Sequence, residues 1–220
     1  MNKIRCARMA VLASVGCLAV ASLVVASSAA AKTRAKTFSR CASVAVPIPD
    51  GPAGNTDPNP DASLALPVTV PKFRHRRQNG LVTAINSVGV RISHSDDGDL
   101  ALFLVSPGGR AIALATYRDQ SAPSDAPSGN GYGTGAPNCS GSLVQFGDGF
   151  SKSITMPGNT GNNAPIVGSF RPEQALSTFV GGPARGYWTL IVQDVAGGDV
   201  GQIDALSLSL SYRYKARRRR

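Results

Sequence analysis

The chain has 220 residues, with 23 basic and 13 acidic side chains, a formal net charge of +10, and only 6% aromatic residues. The charge is segregated: three cations fall in residues 1–31, four in 32–40 and six in 213–220, which leaves residues 41–212 with ten cations, all thirteen carboxylates and a charge of −3. That distribution excludes a uniformly basic nucleic-acid-binding domain, and the two basic tails, read as carrying no interleaved aromatics, point to no specific nucleic-acid partner.

In chain order, Lys3, Arg5 and Arg8 precede the apolar run Met9–Ala26, and small residues follow to Ala31. This is the three-part layout of a secretory signal peptide, expected at 1–31 with cleavage after Ala30 or Ala31. The run approaches membrane-spanning length, but its small-residue content and terminal box favour removal over an anchor, so no transmembrane segment is expected afterwards. Cys17 lies too early in the run for a lipoprotein cleavage box. Removal of Cys6 and Cys17 would leave Cys41 and Cys139, which read as one disulfide in an exported, extracytoplasmic protein. About 190 residues then suffice for one domain with its own core.

Residues 32–43 read as a basic leader and 213–220 as a basic tail, solvated or held on an acidic surface polymer by charge. A Pro/Asn/Asp-rich stretch runs to Asp61, because proline disfavours helix there. Strands are expected at Leu64–Val70 and Leu81–Ser93, where Val88, Val90 and Ile92 alternate with Gly89, Arg91 and Ser93. Lys72-Phe-Arg-His-Arg-Arg77 between them is a basic patch. Leu100–Val105 is apolar at every position and should be covered on both faces; Ala111–Ala115 returns after the Ser106–Gly109 turn. Residues 116–142 form a Gly/Ser/Pro-rich loop with few core contacts, tied down by Cys139. Further strands are expected near Leu143–Phe146, Ser151–Met156, Ile166–Phe170, Tyr187–Val192 and Ala205–Tyr212, the last with Leu206, Leu208, Leu210 and Tyr212 on one face. No helical period is sustained. The fold class is all-β: a jelly-roll β-sandwich of about eight strands, similar to galactose-binding domains.

The chemistry-bearing candidates are few. His75 sits among cations, which oppose its protonation. His94 lies beside Asp96, Asp97 and Asp99, but no Gly-x-Ser-x-Gly accompanies it and no His-Glu-x-x-His occurs. Independent catalysis is not expected. Asp96, Asp97 and Asp99 offer hard oxygen ligands suited to calcium, with Asp148, Asp194 and Asp199 as distant helpers. The same Asp/Gly pattern also makes a purely structural turn, so both readings stand.

Five blocks in fixed order carry a resemblance. They are His94-x-x-x-Gly98-Asp-Leu100 with Leu104-x-Ser-Pro-Gly108; Phe146-Gly-Asp148; Phe170-Arg-Pro-Glu-Gln-Ala-Leu176-x-x-Phe179; Gly186-Tyr-Trp-Thr-Leu190 with Asp194; and Gly198-Asp-Val-Gly201, all preceded by Ile48-Pro-Asp-Gly51. Residues 44–212 resemble the P domain (P/Homo B domain) of kexin- and furin-type proprotein convertases and of bacterial secreted proteases. The resemblance implies an eight-stranded jelly roll that supports a protease domain and its calcium or pH response. Ser106, Pro107, Gly186, Trp188, Asp194, Asp199 and Gly201 would be structural signature residues beside His94, Gly98, Asp99 and Leu100, with Asp99 fixing the turn and Trp188 in the core. The subtilase blocks Asp-Ser/Thr-Gly, His-Gly-Thr and Gly-Thr-Ser-Met do not occur in the 220 residues. The expectation is a secreted, non-catalytic module that binds or stabilises an extracellular partner protein, a secreted subtilisin-like or metalloprotease first among them. Two other readings are a wall- or surface-binding module using the basic tails, and a divergent serine peptidase suggested by the family's association with proteolysis.

Overall fold

The computed structural model describes residues 33–51, 63–71, 80–116, 131–155 and 165–215, all within the unit Ala31–Arg220. Nine strands occur among them: β1 (Thr33–Ile48), β2 (Ser63–Val70), β3 (Leu81–His94), β4 (Leu100–Val105), β5 (Ala111–Ala115), β6 (Val144–Phe146), β7 (Ser169–Phe170), β8 (Gly186–Asp194) and β9 (Gly201–Lys215). One short 3-10 helix spans Leu176–Phe179. The strands form two sheets, ordered β1-β9-β3-β6-β7 and β2-β8-β4-β5. Apart from the two-residue β7, which pairs parallel with β6, this is jelly-roll connectivity. The chain changes sheet at nearly every connection and stays in one sheet only through the β4–β5 hairpin and between β6 and β7.

Period-two patterning decides which face each strand buries. In β3, Val88, Val90 and Ile92 are at most 1% exposed; in β8, Trp188, Leu190 and Val192 are equally covered, and β9 contributes Leu206, Leu208, Leu210 and Tyr212. The serines between those β9 residues face outward, where Asn86 donates to Ser209 and Ser211 at 3.2 Å. Each fully buried aliphatic side chain contributes about 1.5–3 kcal/mol. Trp188 meets Phe179 edge-on with ring centroids 5.1 Å apart, and its indole N–H donates to the Ala184 carbonyl at 3.0 Å. In the apolar run of β4, Leu100, Ala101, Leu102 and Leu104 are buried while Phe103 and Val105 are half-buried, so one face is fully covered and the other, contrary to expectation, only in part.

Several elements differ from the sequence expectation. Residues 33–43, read as a solvated leader, belong to the sixteen-residue β1, and Arg213–Lys215 extend β9. The two tails pair with each other, Thr33 opposite Lys215 and Arg34 opposite Tyr214, so each satisfies the other's backbone while the charged side chains remain in water. A bulge between Ser43 and Val46, with Ala45 at φ 49°, sets the second half of β1 in register with Ile203. Ser151–Thr155 is not a strand: Ser153 makes an isolated bridge to Arg171, although Ile154 is fully buried. The strand expected at Ile166–Phe170 shortens to β7 because Gly168, at φ +115°, breaks it. Nor does the loop after β5 lack core contacts: Tyr132 is 2% exposed and bridges both Ile92 and Ile166. The signal segment 1–31, the stretch 52–61, the patch 72–77 and Arg217–Arg220 lie outside the described residues. Among the described residues no helix is long and apolar enough to cross a membrane.

Cys41 and Cys139 form the expected disulfide, with Cα atoms 6.0 Å apart and a sequence separation of 98. It fastens the edge strand β1 to the segment after β5 and fits an oxidising, extracytoplasmic environment. The Cys41→Ser/Cys139→Ser variant should lose about 2–5 kcal/mol of unfolding free energy in urea titrations. An unchanged midpoint and slope would show that the bond does not constrain the unfolded chain.

Candidate functional site

The acidic turn sits where the two sheets meet at one end. His94 closes β3 and Leu100 opens β4, so residues 95–99 cross from one sheet to the other. The connection from β8 to β9 crosses beside it in the opposite sense. Register brings the two together: His94 lies opposite Gly201 and Leu100 opposite Asp194. The Val195 N–H donates to the Asp99 carbonyl at 2.9 Å. Asp96 shapes the turn itself, its Oδ1 accepting from the Gly98 N–H at 2.9 Å. Gly201 is required here, because a Cβ would fall 2.3 Å from His94 Cδ2 and 2.4 Å from the Ser93 carbonyl oxygen.

His94, Asp96, Asp97, Asp99 and Asp194 are all buried. His94 Nε2 lies 3.1 Å from Asp194 Oδ2, with both side chains essentially inaccessible. Its Nδ1 contacts the backbone of Asp96, both the carbonyl oxygen and the N–H. Burial on its own would lower the proton affinity of His94. The hydrogen bond to Asp194 and its charge, the Asp96 carbonyl and the charge of Asp99 act the other way, and together they hold the imidazole above its ordinary 6.5. Asp99 is pushed up to about 6, first by burial and then by the charges of Asp96, Asp194 and Asp199, with His94 opposing.

Carboxylate oxygens of Asp96, Asp99 and Asp199 lie within 4.8 Å of one another. Asp97, grouped with Asp96 and Asp99 from sequence, is buried on the same turn, but the third member of the convergent set is Asp199, from the β8–β9 connection. Oxygens sharing one calcium at about 2.3–2.6 Å can be no more than about 5 Å apart, so the donor set fits a hard cation. Its remaining ligands would be carbonyl or water oxygens. Asp50 supports the same connection by accepting from the Gly198 N–H at 3.2 Å. Asp194 is committed to His94 and to the Ala196 N–H at 3.3 Å.

Asp148, considered a distant calcium helper, lies elsewhere in function: its two oxygens accept from the Leu176 and Ser177 N–H groups, each at 2.7 Å, and so cap the 3-10 helix. Ser106 closes the β4–β5 turn through its hydroxyl, which accepts from the Arg110 N–H at 3.2 Å. Pro107 packs on Gly186, where a Cβ would fall 2.8 Å from Pro107 Cβ. Sequence reading missed a second buried polar group, Asp204. It stands at a β9 bulge and accepts from Ser93 Oγ and Gln202 Nε2 at 2.7 Å each, with Arg91 at 3.4 Å. An aspartate interrupting a Leu/Ser alternation was the available signal. An open cleft of about 580 Å³ is lined by His94 and by Arg91, Ser93 and Gln202, the partners of Asp204.

The arrangement can bind a cation and tie the sheets together. It is not a relay: a general base needs one ring nitrogen on an acid and the other on a nucleophile. At His94 that second nitrogen faces the Asp96 backbone.

No protein-family model matches the chain, and no curated protein does either. Among solved structures, similarity extends to the serine protease of Aeromonas sobria. In its complex with the chaperone ORF2, the match has 16% identity over 82% of this chain and a TM-score of 0.44; in the crystal structure of the protease itself, 16% over 81% and 0.42. In each case the chain spans 27% of the length of the matched chain.

The two raised proton affinities give a definite pH dependence without metal. Each group stabilises the fold fully below its ordinary value, and that stabilisation is lost as pH rises through about 6 for Asp99 and through the raised value of His94. In EDTA, Tm should therefore fall between pH 5 and 7.5, and Asp99→Asn should flatten the fall. A Tm difference between wild type and variant that does not change with pH across this window would contradict the assignment.

Proposed function

We propose that this chain is a non-catalytic, extracytoplasmic module of the P-domain kind that binds and stabilises a partner protein, with a secreted subtilisin-like or metalloprotease as the first candidate. In this reading, calcium at Asp96, Asp99 and Asp199 rigidifies its acidic end. The observation that carries it is the pairing in space of motif blocks far apart in sequence. His94 packs on Gly201 and Pro107 on Gly186. Asp148 caps the helix of the Phe170–Phe179 block, and Phe179 meets Trp188. Each motif residue in these pairs closes a turn or fills the core, as expected of a scaffold whose function lies on its surface.

The partner reading is tested by affinity capture of the tagged chain from culture medium, followed by activity assays of any captured protease at elevated temperature. Recovery of a protease whose active lifetime lengthens with added module is the expected result. Recovery of none, with no change in the medium's proteolytic stability, would overturn it. The calcium reading is separate. At a concentration 100 times its Kd, calcium should stabilise the fold by about 2.7 kcal/mol, visible as a raised Tm at pH 7.5 that Asp199→Asn abolishes. A Tm indifferent to millimolar calcium would remove the metal and leave the partner question standing.

A further inference from the structure

The strand pair β1–β9 places a second charged surface at the other end of the molecule. From Thr33 opposite Lys215 to Ile48 opposite Gly201, fourteen steps along β9 span roughly 45 Å at about 3.3 Å per residue. The acidic turn is at the Gly201 end; the cations are at the Lys215 end.

Face assignment follows from the hydroxyl contacts. Thr37 and Ser211 share a face, their oxygens 3.3 Å apart, and Asn86 reaches Ser209 and Ser211 on that outer side. Directly paired residues project from the same face. Arg34 with Tyr214, Lys36 with Tyr212, Phe38 with Leu210 and Arg40 with Leu208 therefore occupy the opposite face, continuous with the core. There Phe38 and Tyr214 pack partly against the core, and the Tyr212 and Tyr214 rings lie 6.2 Å apart, tilted by 36°. Arg34, Lys36 and Arg40 are exposed. Three cations and one ring, Arg34, Lys36, Phe38 and Arg40, thus share one face of β1 beside Tyr212 and Tyr214 of β9; β1 is an edge strand whose neighbour in the sheet is β9. The sequence expectation of no interleaved aromatics is corrected here: Phe38 stands between Lys36 and Arg40, and Tyr214 between Arg213 and Lys215, and pairing brings the two segments onto one face. Arg213 and Lys215 project from the reverse face, so this end is positive on both sides. No carboxylate occurs in β1, and the one in β9, Asp204, lies near the far end.

We propose that this strip binds a linear acidic polysaccharide. Charge complementarity supplies the attraction: three exposed cations on one face of β1, Arg34, Lys36 and Arg40, match a polymer with repeated anionic groups. The partly buried rings of Phe38 and Tyr214 leave apolar edges for sugar C–H groups, which a purely ionic site would not need. A single-stranded nucleic acid fits less well, because it requires successive rings open for base stacking, whereas Tyr212 is 5% exposed. The disulfide also fits a compartment where glycans rather than nucleic acids are the abundant polyanions. This inference does not depend on the protease partner or on calcium.

The test uses the full chain and dextran sulfate as probe, with neutral dextran, an oligothymidylate and phosphatidylglycerol vesicles as comparison arms. Dextran sulfate should bind at low salt and neutral dextran should not. The Arg34→Gln/Lys36→Gln/Arg40→Gln variant should bind about tenfold more weakly or worse, with an unchanged Tm because all three side chains are exposed. A chain ending at Lys215 should keep most of the affinity. Four outcomes would overturn the proposal. Absent binding would mean that the charges only guard an edge strand against pairing. Undiminished binding by the triple variant would place the site elsewhere. Loss on truncation alone would assign it to Arg217–Arg220. Equal or tighter binding of the oligothymidylate or the vesicles would show that the ligand class is wrong.

Discussion

The buried contact between His94 and Asp194 joins the two sheets of the sandwich at their acidic end. His94 is the last residue of β3 in one sheet and Asp194 the last of β8 in the other, so their 3.1 Å contact crosses the layer that the apolar core fills elsewhere. A buried pair of this kind adds little net stability over an apolar isostere, but removing one partner strands a charge and costs about 3–5 kcal/mol. Its value here is positional. With the ends of β3 and β8 pinned, the β3–β4 turn and the β8–β9 connection must lie side by side, and Asp99 and Asp199 are brought together although a hundred positions separate them in sequence. After burial, the charges of Asp96, Asp194 and Asp199 raise the proton affinity of Asp99, and two of these, Asp96 and Asp199, converge with it in the acidic cluster. In the proposed reading, a proton and a cation are alternative ways to neutralise this concentration of negative charge.

The charge segregation along the chain thereby becomes segregation in space. Antiparallel pairing of β1 with β9 puts both termini of the described fold at one end and the β8–β9 connection, with the β3–β4 turn beside it, at the other. The terminal cations stand clear of the carboxylates, and the molecule is bipolar along its strands. Edge strand β1 tolerates its cations because their side chains remain in water while its backbone is paired on one side by β9, and charged edges discourage further strand pairing.

Much of this was legible in the sequence, for identifiable reasons. Period-two alternation at Val88–Ile92 and Leu206–Tyr212, the unbroken apolar run Leu100–Val105 and the cysteine count each reflect one dominant physical demand. The jelly-roll class followed from them. Other features depend on long-range register. Composition made residues 33–43 look like a solvated leader, because cations and small polar residues dominate there and Phe38 is the single large apolar residue; only the partner strand β9 reveals a strand. Asp96, read from sequence only as a cation ligand, also accepts a backbone N–H within the turn, a role that local geometry rather than composition reveals. Asp199 joined Asp96 and Asp99 through the fold rather than through spacing, and Asp148 went to a helix N-terminus it could not be seen to face. Asp204 and Arg91 were invisible as a pair because a bulge, not alternation, sets them together.

The account stands or falls on the protonated state of His94 in its pair with Asp194. Nitrogen-15 NMR of the imidazole rings across a pH titration, with a His75→Gln variant to assign the signals, measures it directly. Both His94 nitrogens should remain protonated above pH 6.5, the ordinary midpoint, and Asp194→Asn should bring the transition down. A His94 ring already neutral at pH 6, or one whose midpoint ignores the substitution, would contradict the claim that this pair organises the acidic end.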